Sequence, residues 1–179
     1  MRNACLVVAL VAGLLPDVAR AQGSADAYFE FLMARRLESE GDTGGALAAL
    51  ERAAKADPSS AEVKAEIAAF HARRNERPEA EKAALAALAL DPENVEANRV
   101  LGNMYAAVYE AGVQQRTPPA DLQKTLSAAI THLERAAAGM PGTDATLLYT
   151  LGRMYVRSGA TDKAVQTLTR VLKIGRAHV

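Results

Sequence analysis

The chain has 179 residues, of which 50% are hydrophobic and only 4% aromatic, with no Trp. This length fits one modest domain, and the abundance of Ala, the strongest helix former, favours stacked helices over a β-sandwich. The 21 basic and 21 acidic residues cancel. Because no positive excess is left to neutralise phosphates, we expect that the partner is not a nucleic acid.

Residues 1–21 have the features of a secretory signal peptide. Arg2 gives a short positive start, residues 4–15 form an apolar run, and Ala19-Arg20-Ala21 supplies the small residues that cleavage requires. We therefore predict a mature chain that begins at residue 22, is periplasmic or secreted, and has no membrane span after signal cleavage. The alternative is an uncleaved N-terminal anchor. Cys5, the single cysteine, leaves with the signal, which excludes disulfides and cysteine chemistry from the mature chain.

A repeat of 34 residues organises the next part of the chain. The stretch that ends in Asp57-Pro58 recurs as the stretch that ends in Asp91-Pro92, and a pair of helices is the natural unit at this period. Within one period, apolar residues at helical spacing form two groups, first Val63, Ile67 and Phe70, then Ala80, Ala84 and Ala87. We predict one helix for each group.

The breaks between these helices contain typical turn residues. Gly41, Asn75 and Gly159 occupy equivalent places, where we expect a left-handed residue to end the first helix of each pair. Asp42 is a candidate N-cap for the following helix, and Pro78 fits the first turn of another. The Asp-Pro pairs are expected to stop each second helix.

These units resemble tetratricopeptide repeats (TPRs), whose pattern has small residues at positions 8, 20 and 27, a large residue at 11 and Pro at 32. The first unit matches with Ala34, Leu37, Ala46, Ala53 and Pro58. The second matches with Ala68, His71, Ala80, Ala87 and Pro92. The resemblance implies an all-α, right-handed α-solenoid of about four helix-turn-helix repeats over residues 22–173, at about 27–60, 61–94, 95–144 and 145–173.

The third repeat is longer than the others. Pro141 follows Pro92 by 49 residues, which is 15 more than the period. Helical spacing continues through Tyr109 and resumes from Leu122, so we predict two elongated helices that meet at Thr117-Pro118-Pro119 rather than a disordered loop. The sequence leaves open whether this insertion is a partner-specific arm or an elongation without a function.

The C-terminal end departs from the repeat pattern. We predict the last helix from Thr161 to Lys173. Residues 174–179 match the in-frame translation of a common sequencing adapter, so we expect them to be a non-native tail, with a genuine irregular tail as the alternative. A truncated last repeat would expose an apolar face and favour self-association through the uncapped C-terminal repeat.

No motif in the chain predicts a catalytic residue, a cofactor or a metal site. His71 stands where other repeats have Tyr105 and Tyr155, so we interpret it as a packing residue. His132 has no second metal ligand at helical spacing. Zinc-protease, nucleophile-elbow and phosphate-loop patterns are all missing from the sequence. We therefore predict that the chain is not an enzyme.

The TPR resemblance also implies a peptide-binding groove, which in this family is lined by the first helix of each pair. Carrying the family's groove positions onto this sequence gives Tyr28, Phe31, Arg35, Arg73, Arg99, Asn103, Tyr149, Arg153 and Arg157. Arginine binds carboxylates through two parallel hydrogen bonds, so an acidic peptide or a C-terminal carboxylate is the predicted ligand. Arg99 and Asn103 also match TPR carboxylate clamps, but the second repeat has Ala at both places. The alternative is that these arginines are ordinary solvated residues.

Two functions follow from these observations. The first is a protein–protein interaction scaffold in the bacterial envelope or outside the cell, which binds a peptide or helix of a partner in the groove. The second is the N-terminal accessory region of a larger envelope enzyme, such as a peptidase or transferase.

Overall fold

The structure, a computed structural model, describes residues 23–116, 119–140 and 144–176. The predicted signal peptide, Thr117, Pro118, Pro141 and residues 177–179 lie outside these ranges. Within the described residues the fold is all-α, with eight helices and no strand. The helices are α1 (residues 23–39), α2 (Thr43–Ala56), α3 (Ala61–Arg73), α4 (Arg77–Leu88), α5 (Val95–Val113), α6 (Leu122–Gly139), α7 (Ala145–Ser158) and α8 (Thr161–Arg176).

The turns within the helix pairs have the predicted backbone. Gly41, Asn75 and Gly159 have φ angles of 84°, 59° and 77°, the left-handed region that Gly adopts freely and Asn tolerates. Asp42 caps α2, since its carboxylate accepts a hydrogen bond from the Gly45 amide at 2.8 Å. Sharp turns of this kind let each second helix fold back on the first.

Both helices of the third repeat are elongated, as predicted. α5 has 19 residues and α6 has 18, whereas α3 and α4 have 13 and 12. The extension of α5 belongs to the core, because Tyr109 is buried in the same cluster as Leu126 of α6. The insertion therefore lengthens the packed helix pair, while residues 114–116 and 119–121 are not helical.

The last helix ends later than predicted. α8 continues to Arg176, three residues beyond Lys173, because no proline stops it and a single Gly175 weakens a helix without breaking it. The exposed fractions of Val165 and Leu172 are 61% and 63%, so α8 presents apolar side chains to solvent. A non-native origin for residues 174–179 and self-association through this helix stay predictions.

The chain divides into two compact units between Val63 and Lys64, and each has its own buried residues. The first unit buries small residues of α1 and α2, with Leu50 as the largest. The second contains two clusters. An alanine-rich one joins α3, α4 and α5, and a leucine-rich one joins α5 to α8. None of the helices in the described residues has the combined length and hydrophobicity needed to cross a bilayer.

Candidate peptide-binding site

A cavity of about 320 Å³ lies in the second unit among α3, α4 and α5. We call it the arginine cavity. Its apolar wall is formed by Ala69, Ala72, Ala80, Val100, Met104 and Ala107. Its polar residues are Arg73, Asn75, Arg77, Arg99 and Asn103. Three residues of the predicted groove, Arg73, Arg99 and Asn103, are thus brought together.

Two of these residues were not predicted. Asn75 and Arg77 do not lie on a first helix; Asn75 is in the turn that follows α3, and Arg77 is the first residue of α4. The left-handed backbone of Asn75 turns the chain back at this point, which places Arg77 beside the groove positions of α3. The turn residue was visible in the sequence, but its effect on Arg77 depends on how the helices pack.

The three arginines differ in their partners. Arg99 binds Glu96 of the same helix through Nε at 2.8 Å and Nη2 at 2.5 Å, and this hydrogen-bonded pair raises the pKa of Arg99. Arg73 donates to Glu66 at 3.1 Å. Arg77 donates to the amide oxygen of Asn75 at 3.3 Å, and within the described ranges it has no carboxylate partner.

This arrangement suits a ligand that combines negative charge with small apolar groups. Each guanidinium has five N–H donors in a plane, and a neighbouring carboxylate uses only some of them. The alanine wall lets a ligand backbone approach closely. The cavity volume lies at the lower end of the range for ligand pockets, which fits a short peptide segment.

The predicted residues of the fourth repeat form a separate group around a residue of α5. Arg153 donates to Glu110 at 2.9 Å, and Arg157 donates to both oxygens of Glu110 at 3.1 and 3.3 Å. The Arg153 guanidinium also lies 5.9 Å from the centre of the Tyr149 ring. We call Glu110, Tyr149, Arg153 and Arg157 the Glu110 cluster. Burial raises the pKa of Glu110, but the two arginines outweigh it and hold that pKa below its usual value.

The predicted residues of the first unit lie on α1. Tyr28 and Phe31 line a cavity of about 330 Å³ together with Asp57 and Glu62. The Arg35 guanidinium lies 5.8 Å from the centre of the Phe31 ring. Because carboxylates line this cavity, it does not have the chemistry of the arginine cavity.

The histidines have structural partners. His71 is half-buried, contacts the edge of Phe70, and has its Nδ1 2.7 Å from a carboxylate oxygen of Glu76. The Nδ1 atom of His132 lies 2.8 Å from the side-chain oxygen of Asn98, which is fully buried. Since the Asn98 amide nitrogen already donates to two backbone carbonyls, His132 must be the donor. Burial lowers the pKa of His132.

The Asn98–His132 pair joins α5 to α6, and sequence reasoning missed it. Nothing in the spacing of the two residues, 34 positions apart, marks them as partners. Over the part of the chain that the structure describes, no group of three or more His, Cys, Asp or Glu residues could hold a metal ion.

Comparison with known proteins identifies the fold. The family model described as "Tetratricopeptide repeat" matches residues 37–104 and 122–178. A search of curated proteins found no match. The crystal structure of MamA has a TM-score of 0.62 and 20% identity, with 91% of this chain and 85% of that chain covered. TTC0263, a thermophilic TPR protein of Thermus thermophilus, has a TM-score of 0.63 and 24% identity, with 83% and 74% covered.

A third similar structure is a human IFIT1 dimer with PPP-AAAA. It has a TM-score of 0.62 and 25% identity, and the match covers 82% of this chain but only 32% of that one. TPR proteins are typically non-catalytic scaffolds for protein–protein interaction. The matched segments span more than half of the chain, and its helix pairs have the expected turns and small packing residues. This chain therefore belongs to the tetratricopeptide-repeat family.

Proposed function

We propose that this chain is an exported interaction scaffold that holds an acidic segment, or a C-terminal carboxylate, of a partner protein in the arginine cavity. The observation that carries the proposal is the position of Arg77. Its guanidinium lines the same apolar-walled cavity as Arg99 and Asn103, and it has no carboxylate partner in the described parts of the chain.

The recognition follows from the chemistry of these side chains. A ligand carboxylate accepts charge-assisted hydrogen bonds from Arg77, and Arg99 can offer the donors that Glu96 leaves free. The side-chain amide of Asn103 can bind a peptide group of the ligand. The alanine wall offers apolar surface beside these contacts, which the backbone of a bound peptide can cover.

The proposed location of the protein is the bacterial envelope or the outside of the cell. It is supported by the charged start, the apolar run and the small residues of the first 21 positions. A partner in the same compartment would present its acidic segment after export.

The main alternative ligand is a nucleic acid, since one similar structure was solved with PPP-AAAA. Nucleic-acid binding draws most of its affinity from an excess of positive charge. The formal net charge of this chain is zero, and two of the three cavity arginines already pair with carboxylates. We therefore favour a protein ligand and include PPP-AAAA as a competitor in the test.

The test uses fluorescence anisotropy with a short fluorescein-labelled Gly/Ser peptide that ends in two aspartates. Arg77→Glu should weaken binding by about tenfold or more, since it replaces an attractive charge by a repulsive one. The matched control is Arg135→Glu, which makes the same charge change at an exposed position of α6 that does not line the cavity. An amidated form of the peptide separates recognition of the C-terminal carboxylate from recognition of the aspartates.

Equal effects of Arg77→Glu and Arg135→Glu would show that only overall charge matters and would remove the cavity from the proposal. Tighter binding of PPP-AAAA than of the peptide would favour the nucleic-acid alternative.

A further inference from the structure

Glu110 owes its place to the elongation of α5. The first helices of the second and fourth repeats, α3 and α7, have 13 and 14 residues. A helix of that length beginning at Val95 would end near residue 108, before Glu110. The extra residues of α5 thus add a carboxylate beyond the usual end of a first helix.

This carboxylate is placed between two arginines of another helix. Both of its oxygens accept hydrogen bonds, from Arg153 and Arg157 of α7. The Glu110 side chain is only 19% exposed, whereas those of Arg153 and Arg157 are 47% and 46% exposed. Two predicted groove arginines are therefore neutralised in part by a single carboxylate from α5.

We propose that Glu110 is an internal carboxylate that occupies the arginines of the fourth repeat and so directs a partner's carboxylate to the arginine cavity. This inference rests on the proposed function and deepens it by naming a specificity-determining residue. It also assigns a function to the third-repeat insertion, whereas the sequence left open whether the insertion has one.

The competition favours Glu110 because it belongs to the same molecule. A ligand carboxylate must lose translational and rotational freedom to reach Arg153 and Arg157, whereas Glu110 is already held beside them. The same two arginines keep the pKa of Glu110 low, so the side chain stays ionised near neutral pH. Arg77 has no such competitor in the described residues, which leaves the arginine cavity as the open site.

The test substitutes Glu110→Gln, which keeps the shape of the side chain and removes its charge. The Nε–H signals of Arg153 and Arg157 are followed by NMR during titration with malonate, a dicarboxylate small enough to need no groove. We expect malonate to bind at these two arginines roughly fivefold more tightly than in the unsubstituted chain. Glu93→Gln is the matched control, since it removes the same charge from an exposed residue whose partner, Arg135, lies 3.9 Å away.

Two further variants complete the test. Glu110→Asp retains a carboxylate and should leave malonate binding close to that of the unsubstituted chain. Adding Arg153→Gln to Glu110→Gln should reduce the gain in malonate binding, which is then followed on the Nε–H signal of Arg157. Unchanged malonate binding in Glu110→Gln, or weaker binding, would overturn the inference, since weaker binding would mean that Glu110 positions the arginines for a ligand.

The malonate readout does not depend on peptide binding. Suppose that the peptide binds Arg77→Glu and Arg135→Glu equally well, while Glu110→Gln still binds malonate more tightly. The proposed function then fails, but Glu110 is still a carboxylate that occupies Arg153 and Arg157. If Arg77→Glu weakens peptide binding but Glu110→Gln does not bind malonate more tightly, only the proposed role of Glu110 is wrong.

Discussion

Single glycines set how closely paired helices approach in the second unit. A Cβ atom on Gly102 of α5 would lie 2.8 Å from Cγ and 3.0 Å from the backbone nitrogen of Leu133 in α6. A Cβ atom on Gly152 of α7 would lie 2.6 Å from a side-chain atom of Leu168 in α8. An added methyl at Gly102 would therefore require the Leu133 side chain to move and the α6 backbone to give by a few tenths of an ångström, so this position favours glycine for space.

We predict that Gly102→Ala lowers the free energy of unfolding by about 1–3 kcal/mol, because the added methyl overpacks the α5–α6 contact. The gain in helix propensity, at most about 1 kcal/mol, does not offset this cost. Urea denaturation followed by circular dichroism measures the change. The control is Gly44→Ala in the first turn of α2, where the nearest atom would be 3.8 Å away. Equal or greater stability of Gly102→Ala would contradict the packing argument.

At the scale of helices, a repeated hydrogen bond ties two first helices, α5 and α7, to the second helix that precedes each of them. The Tyr105 hydroxyl of α5 donates to Glu81 of α4 at 2.8 Å, and the Tyr155 hydroxyl of α7 donates to Glu134 of α6 at 2.6 Å. Burial and the adjacent carboxylate raise the pKa of Tyr105 to about 12, and they raise that of Tyr155 as well. In the third and fourth repeats, the large residue of the TPR pattern thus has a polar role between repeats in addition to packing.

We predict that Tyr105→Phe lowers the free energy of unfolding by about 1–2 kcal/mol near neutral pH, because it removes a charge-assisted hydrogen bond. The difference from the unsubstituted chain should shrink as the pH rises from 10 towards 12. Over that interval the unfolded chain releases the Tyr105 proton, whose ordinary pKa is 10.0, while the folded chain retains it, so the stabilisation that is complete below pH 10 is lost.

Urea denaturation near pH 8 and pH 11 measures this difference. Tyr149→Phe is the control, since Tyr149 is exposed and its hydroxyl makes no hydrogen bond to another of the described residues. A constant difference between the two pH values would contradict the link between the hydroxyl and Glu81.

The helices could be predicted from the sequence because their signals are local. The left-handed turn residues and the small residues at fixed intervals act within one helix or one turn. The Glu110 cluster and the position of Arg77 could not be predicted in this way. They depend on side chains from different helices that meet only after packing, and Glu110 reaches Arg153 and Arg157 across more than 40 residues of sequence. The late end of α8 was missed because no residue at positions 173–176 forbids a helix.

At the scale of the whole molecule, the distribution of charge determines the preferred ligand more than the net charge does. Acidic and basic residues are equal in number, yet they are not evenly distributed. Three arginines line the arginine cavity, and Arg153 and Arg157 pair with the carboxylate of Glu110 in the Glu110 cluster. Such an arrangement favours a specific acidic ligand over general attraction to polyanions. Raising the salt concentration should therefore weaken peptide binding only modestly, in contrast to the steep dependence of nucleic-acid binding.

The most direct measurement is an NMR titration of the 15N-labelled chain with the peptide that ends in two aspartates. We predict that the side-chain amides of Asn75 and Asn103 and the Nε–H signal of Arg77 shift together with one affinity, while signals of Val165 and Leu172 on α8 stay unchanged. Shifts at α8 with none in the arginine cavity would contradict the claim that this TPR protein binds acidic segments there.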